Sequence, residues 1–210
     1  MSIFVEEDGV ADIEAPANAR SRRTRQALLD AARAILEQQG FQALTMSALA
    51  ERAGVTRGGV YLHFDSVPAV MTELFDHLAE TEGLGASLAR VWEAEDAVTA
   101  LDAWAAHLAD YHPRLMAVDT ALQRAERSGP VDEHRAKVAA AQLDNCRRLA
   151  AWLADDGRLA ARWTVATATD VLYGLICTEF ISRLLVDRGW SRDELRKGLA
   201  ALFRSTLVAR

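Results

Sequence analysis

The chain has little cysteine. Cys146 and Cys177 are the two in 210 residues, far apart and in no Cys-x-x-Cys spacing. That excludes a disulfide-stapled fold and reads as reduced thiols in a cytoplasmic protein. No apolar run approaches the roughly 18 residues needed to span a bilayer. The opening stretch, MSIFVEEDGVADIEAPANAR, has no basic segment followed by an apolar one, so it does not read as a signal peptide. Alternating strand patterns, internal repeats and low-complexity runs are missing too. So are the common catalytic constellations: there is no HExxH, no GxSxG, no P-loop and no GxGxxG. Glu73 and His77 share one helix face but have no third ligand, and Cys146 has no histidine at a recognisable spacing. The expectation is a protein that is not an enzyme, with no catalytic residue, no metal and no cofactor.

Half of the residues are hydrophobic, enough to bury a sizeable core. The net charge of −6 argues at first against a polyanionic partner. Its distribution reverses that. Residues 1–19 hold five acids and no Lys or Arg, whereas residues 20–66 hold seven Arg against four acids. A short basic module lies between acidic neighbours, and local sign decides for a polyanion.

The pattern along the chain is helical. Residues 1–20 are acidic and aperiodic and read as a disordered tail. Leu28, Ala31, Ala32, Ile35 and Leu36 then make one apolar helix face, closed by Gly40. TMSALAERAG is a short helix that Thr45 can cap, with Gly54 in the turn after it. Thr56 can cap a third helix, near 56–62, and Ser66 a fourth, with Pro68 in its first turn. Further helices are expected near 94–112, 114–127, 131–154, 164–187 and 192–208, with breaks at His112-Pro113, Ser128-Gly129-Pro130, Asp155-Asp156-Gly157 and Asp187-Arg188-Gly189. Ser191 to Glu194 is a capping box for the last of these. The fold class is all-α: a small three-helix unit at 21–66 and a larger helical body at 67–210.

Two short helices joined by a glycine turn, behind a longer helix, describe a helix-turn-helix, with Leu49, Ala50, Ala53, Val55 and Val60 as its core. Such a unit lays its second helix in the major groove of DNA. Thr45 and Thr56 offer hydroxyls and helix N-termini to phosphates. Arg57 can fork onto guanine O6 and N7. Gly58 and Gly59 lack side chains, which permits close backbone approach. Tyr61 and His63 can reach phosphates. Tyr61 is equally compatible with a core aromatic, His63 with a surface histidine, and the two glycines with a loosened turn. Arg20, Arg22, Arg23 and Arg25 fit an arm meeting the DNA backbone or minor groove, or a solvated helix start.

These residues carry a resemblance. Gly40-Phe41, Thr45, Leu49-Ala50, Ala53-Gly54-Val55-Thr56, Gly58, Tyr61 and His63-Phe64 follow the N-terminal pattern of TetR/AcrR-family transcriptional regulators, and residues 24–66 resemble that DNA-binding region densely. The resemblance implies that Thr45 anchors a phosphate and that Ser47, Arg57, Gly58 and Gly59 face base edges. It further implies that Tyr61 and His63 hold phosphates and that Phe64 packs inside. The sequence departs from the family at Val67, where a phosphate-binding lysine is usual. One lost phosphate contact lowers the salt slope by about 0.9 per half-site.

The resemblance also implies a body that binds a small molecule and forms a dimer. All five tryptophans lie after residue 91. Trp104, His107, Tyr111, Tyr173 and Cys177 are the candidate ligand-binding residues; an aromatic stripe at helical spacing is also what a plain core would use. The last two expected helices carry more apolar surface than one core needs. Ala166, Asp170, Gly174 and Thr178 form a stripe of mostly small residues, which suits a homodimeric four-helix pairing. The functional expectation is a homodimeric repressor. It would bind a pseudo-palindromic double-stranded DNA operator and be released by a small, largely apolar or aromatic effector. The alternative is a helical scaffold or adaptor that uses the fold without operator binding.

Overall fold

The computed structural model describes residues 16–124 and 129–209. Of the expected acidic tail, residues 1–15 lie outside the described residues. Residues 16–20 do not continue it: α1 spans Pro16–Gln39. A single 3-10 turn follows at Phe41–Ala43. Then come α2 (Met46–Ala53), α3 (Arg57–Tyr61), α4 (Val67–Thr81) and α5 (Leu84–Trp92). The body continues with α6 (Ala97–Arg124), α7 (Gly129–Asp155), α8 (Val165–Leu175), α9 (Thr178–Ser182) and α10 (Arg192–Leu207). Among the described residues there is no strand, only one isolated bridge between Leu159 and Val208.

The elements start where hydroxyl caps dictate. Thr45, Thr56 and Ser66 accept from the backbone N–H groups of Ala48, Gly59 and Ala69, at 3.1, 3.1 and 3.3 Å. Each cap satisfies one of the N–H groups that a helix start leaves open. Ser191 and Glu194 form the expected capping box on α10. A second box, Thr164 with Thr167, starts α8.

Two expected boundaries are corrected. α6 does not stop at His112-Pro113 but runs through Pro113. Proline removes one hydrogen bond there, yet both sides of it are packed: Leu108 and Ala109 before it and Leu115 and Val118 after it are buried, so packing overrides the break. Conversely, the helix expected at 164–187 is interrupted. Cys177 takes an extended backbone, φ −63° and ψ 144°. The Thr178 hydroxyl donates to the Asp119 carboxylate of α6, which pins the start of α9 there. A wide π turn at Arg183–Asp187 ends this region.

Two hydrophobic cores result. The first joins α1, α2, α3 and α4 with the second half of α6, through residues such as Leu28, Leu49, Val60, Met71 and Leu115. The other joins the first half of α6 with α7, α8 and α10, around Trp104, Leu149, Leu172 and Phe203.

Polar ties knit α1 to α4. Arg25 pairs with Glu73 at 2.9 Å, donates to the His63 carbonyl at 3.2 Å and lies 4.7 Å over the Phe64 ring. It is therefore a clamp inside the fold, not part of an arm. Gln26 meets the His77 ring at 2.9 Å. Glu82 accepts from Arg33 of α1 at 2.7 Å and pairs with Arg114 of α6 at 3.4 Å. The Arg33 hydrogen bond holds the Glu82 carboxyl below its ordinary value of 4.5.

A lowered carboxyl pKa stabilises the fold above the unfolded value, and the effect disappears as pH falls through the folded one. Replacing Glu82→Gln is therefore expected to cost about 1 kcal/mol at neutral pH, in the range of a small surface ion-pair network. Thermal unfolding is the readout. The gap between wild type and variant should close as the pH drops below 4.5; a gap constant with pH would assign Glu82 a packing role instead.

Candidate nucleic-acid interface and cavity

Helices α2 and α3 meet across Gly54, whose φ of 67° is left-handed and whose N–H bonds back to α2. A residue with a Cβ is disfavoured in that conformation. Leu49, Ala50, Val60 and Phe64 are buried beneath the turn. That burial fixes what remains outside. Thr45, Ser47, Thr56, Arg57, Gly58 and Tyr61 are exposed, and Gly59 and His63 are half-buried. Arg22 and Arg23 are exposed on α1. Tyr61 keeps 45% of its surface, which removes the core-aromatic alternative.

Arg57 and Tyr61 form a pair one turn apart. The guanidinium lies 5.7 Å from the Tyr61 ring, with Nη2 3.4 Å from its Oη. Stacking holds the planar fork while leaving other donors available. The two glycines differ. A Cβ on Gly58 would meet nothing within 4 Å, whereas one on Gly59 would lie 3.3 Å from the Thr56 cap oxygen. Gly59 thus serves the cap as well as the outer surface.

Sequence reasoning missed Leu62. It is 85% exposed, the most exposed large apolar side chain of those described. The signal was available: Val60 and Phe64 are the buried positions, and two residues from each is the opposite side of a helix.

The ligand candidates fall into two neighbouring hollows. Trp104, His107 and Tyr111 line a cavity of about 340 Å³ among α4, α5, α6 and α7. Tyr173 and Cys177 line an adjoining pocket of about 280 Å³. Phe75, Asp119, Val138 and Gln142 belong to both walls. On α6 the rings stack in sequence, Trp104 on His107 at 5.0 Å and His107 on Tyr111 at 5.3 Å. Burial lowers the His107 pKa to about 4 and raises that of Tyr111 to about 12. Both are uncharged at neutral pH. His112 and Asp119 also line the cavity; they were missed because the helix was expected to end at His112.

Among the described residues, no group of three or more His, Cys, Asp or Glu could hold a metal. Glu73 and His77 instead meet Arg25 and Gln26. Nor is any described helix long and apolar enough to cross a membrane.

Among the described residues, a capped helix-turn-helix with an exposed arginine on its second helix has the layout of a nucleic-acid-binding motif. Comparison with known proteins narrows it. The sequence profile described as "Bacterial regulatory proteins, tetR family" matches residues 28–74. The HTH-type transcriptional regulator TtgR of Pseudomonas putida is 37% identical over 81 residues, 39% of this chain and 37% of that protein. Over residues 28–74 the chain is thus similar to the tetR family of bacterial regulatory proteins. It matches only about a third of the length of relatives such as TtgR and the probable regulator ArpR of P. putida.

Whole-chain likeness comes from structures. NalD of Pseudomonas aeruginosa, the secondary repressor of the MexAB-OprM multidrug efflux pump, superposes with a TM-score of 0.68 at 23% identity, over 90% of this chain and 98% of that one. A transcriptional regulator from Saccharomonospora viridis in complex with choline gives 0.74 at 15% identity, over 90% and 100%. These identities show a shared fold.

The contrast between the glycines is testable by unfolding in urea. Gly58→Ala is expected to stabilise by about 0.5–1 kcal/mol, the ordinary gain of alanine in a helix with open space around it. Gly59→Ala should gain less, because the new methyl presses on the Thr56 cap. A loss at Gly58 would mean that the glycine is needed for the fold itself.

Proposed function

We propose that this chain is a ligand-responsive DNA-binding transcriptional regulator: a homodimeric repressor released from its operator by a small, largely apolar or aromatic molecule. Residues 21–66 would bind DNA, and residues 67–210 would bind the effector and pair. One observation carries the reading. The same helix, α4, lines the cavity with Phe75, Asp76 and Ala79 and bonds to α1 through Glu73 and His77. A molecule entering the cavity bears on the helix that holds the DNA-binding unit. Differential binding to two placements of α4 would shift the spacing of the recognition helices.

The interface reading follows from exposure and chemistry. Arg57 would read guanine, with Ser47 and the bare backbone at Gly58 and Gly59 beside it. Thr45, Thr56, Tyr61 and His63 would hold phosphates, as would Arg22 and Arg23 on α1. The chain has Val67 where a cationic contact is usual, so the operator complex should be less salt-sensitive by about one phosphate per half-site.

Pairing would use α8 and α10. Leu172, Leu195, Leu199 and Phe203 face the monomer core, whereas Ala166, Asp170 and Gly174 are exposed along α8. A two-fold partner there would set two recognition helices about 34–36 Å apart, matching successive major grooves and hence a pseudo-palindromic site.

The test is gel retardation with DNA from upstream of the chain's own gene, across a salt series. Arg57→Ala touches no core residue, so folding should be unchanged. Operator affinity should fall by about 1–3 kcal/mol, with relaxed preference at one base position. Absence of salt-dependent retardation by the wild-type protein would overturn the DNA-binding reading.

A further inference from the structure

The cavity wall on α6 is unusual in its hydrogen bonding. Trp104 and Tyr111 are buried, at 2% and 7% exposure. The Trp104 Nε1–H and the Tyr111 hydroxyl have no hydrogen-bond partner among the described residues. Buried donors of this kind are rare and need an explanation. Both side chains line the same cavity.

His107 lies between them and is polar as well. Its Nδ1 lies 2.8 Å from Ser87 Oγ, and Arg90 donates to that same oxygen at 3.4 Å. Either atom of the Ser87–His107 contact can be the donor, depending on the ring tautomer. Three uncharged polar rings therefore follow one another along one face of α6.

The charged residues of the wall do not alter this. Asp76 and Lys137 are opposite in sign and exposed. The Asp119 carboxylate accepts from Thr178. The rest of the lining is largely apolar, including Phe75, Leu88, Leu108 and Ile176.

We infer that the cavity takes a neutral aromatic or alicyclic molecule bearing hydrogen-bond acceptors, carbonyl or ether oxygens, which meet the Trp104 N–H and Tyr111 O–H. This rests on the effector-site reading above and names its ligand class. A cation gains no hydrogen bond from the Trp104 and Tyr111 donors, and Lys137 on the same wall offsets one of its two carboxylates, Asp76 and Asp119. A plain hydrocarbon leaves the two donors unpaired, and a site built to hydrogen-bond its ligand discriminates strongly against an analogue lacking the partner group.

Equilibrium dialysis of the full chain against three naphthalene probes tests it: 2-acetylnaphthalene, its near-isostere 2-isopropylnaphthalene as the hydrocarbon, and (2-naphthylmethyl)trimethylammonium as the cation. The ketone should bind about tenfold more tightly than the hydrocarbon, and the cation least. Tyr111→Phe and Trp104→Phe keep a ring and delete a donor. Each should reduce the ketone's advantage several-fold and leave hydrocarbon affinity nearly unchanged. Tyr111→Phe removes one unpartnered oxygen, so it should melt at or above the wild-type temperature. It carries the test alone if Trp104→Phe does not fold.

Equal binding of ketone and hydrocarbon would overturn the donor array while leaving the cavity an effector site. So would a ketone preference that is undiminished in Tyr111→Phe. Tightest binding by the cation would overturn the neutral class. Failure of all three probes to bind would overturn the inference and the effector-site reading together, with the DNA-binding reading still judged by its own retardation assay.

Discussion

The continuity of α6 through Pro113 is the constraint on which the rest depends. An interior proline costs a helix about 3 kcal/mol or more. Beyond it, Leu115 and Val118 are buried, and each buried side chain of that kind contributes about 1.5–3 kcal/mol. Burial of these two alone offsets the proline, and Tyr111 and Ala121 in the same core add to it. The helix therefore continues, and one rigid rod of 28 residues belongs to both cores. A break at His112 would have cut the one helix that runs through both cores. With the rod intact, the first core and the cavity share a wall.

The small N-terminal helices show the opposite balance. α2 has eight residues and α3 has five, too short to be stable alone. They persist because Thr45, Thr56 and Ser66 cap successive starts and because Leu49, Ala50 and Val60 are buried. Once caps and core supply the stability, the outer positions of α3 are released from supplying any. That is why two glycines are tolerated in a five-residue helix. Its surface can be chosen for contact, with Arg57 and Tyr61 bracketing bare backbone.

What was legible in the sequence was local. The caps, the left-handed turn at Gly54, the core positions of the helix-turn-helix and the Ser191 box are set by residues within one turn of each other. The shared wall of Trp104, His107 and Tyr111 was also readable, because helical spacing alone puts them on one face. What was not legible depends on partners distant in sequence. Arg25 looks like part of a basic arm until Glu73 and the His63 carbonyl are seen beside it. Gly59 looks like a groove-facing gap until the Thr56 oxygen is placed 3.3 Å away. The break at Cys177 follows a hydroxyl–carboxylate bond to Asp119, fifty-nine residues earlier. α5 was not among the expected helices; Gly83 opens it as a left-handed N-cap, and Val91 on it is buried.

The unpartnered donors connect these themes. Burying a donor without an acceptor costs about 1–3 kcal/mol. A core optimised for stability alone would put phenylalanine at Trp104 and Tyr111 and lose nothing in packing class. The chain instead holds both donors, with His107 between them bonded to Ser87. It tolerates that cost next to α4, the helix tied to α1 through Glu73 and His77. On the proposed reading, a ligand supplying acceptors would relieve the cost only in a placement of α4 that leaves it room. The free energy gained on satisfying the donors is then available to choose between placements, since a ligand shifts an equilibrium only by its differential affinity for the two states. Two donors relieved in one state and not in the other amount to about 2–6 kcal/mol, which spans the range needed to carry such a switch from mostly one state to mostly the other.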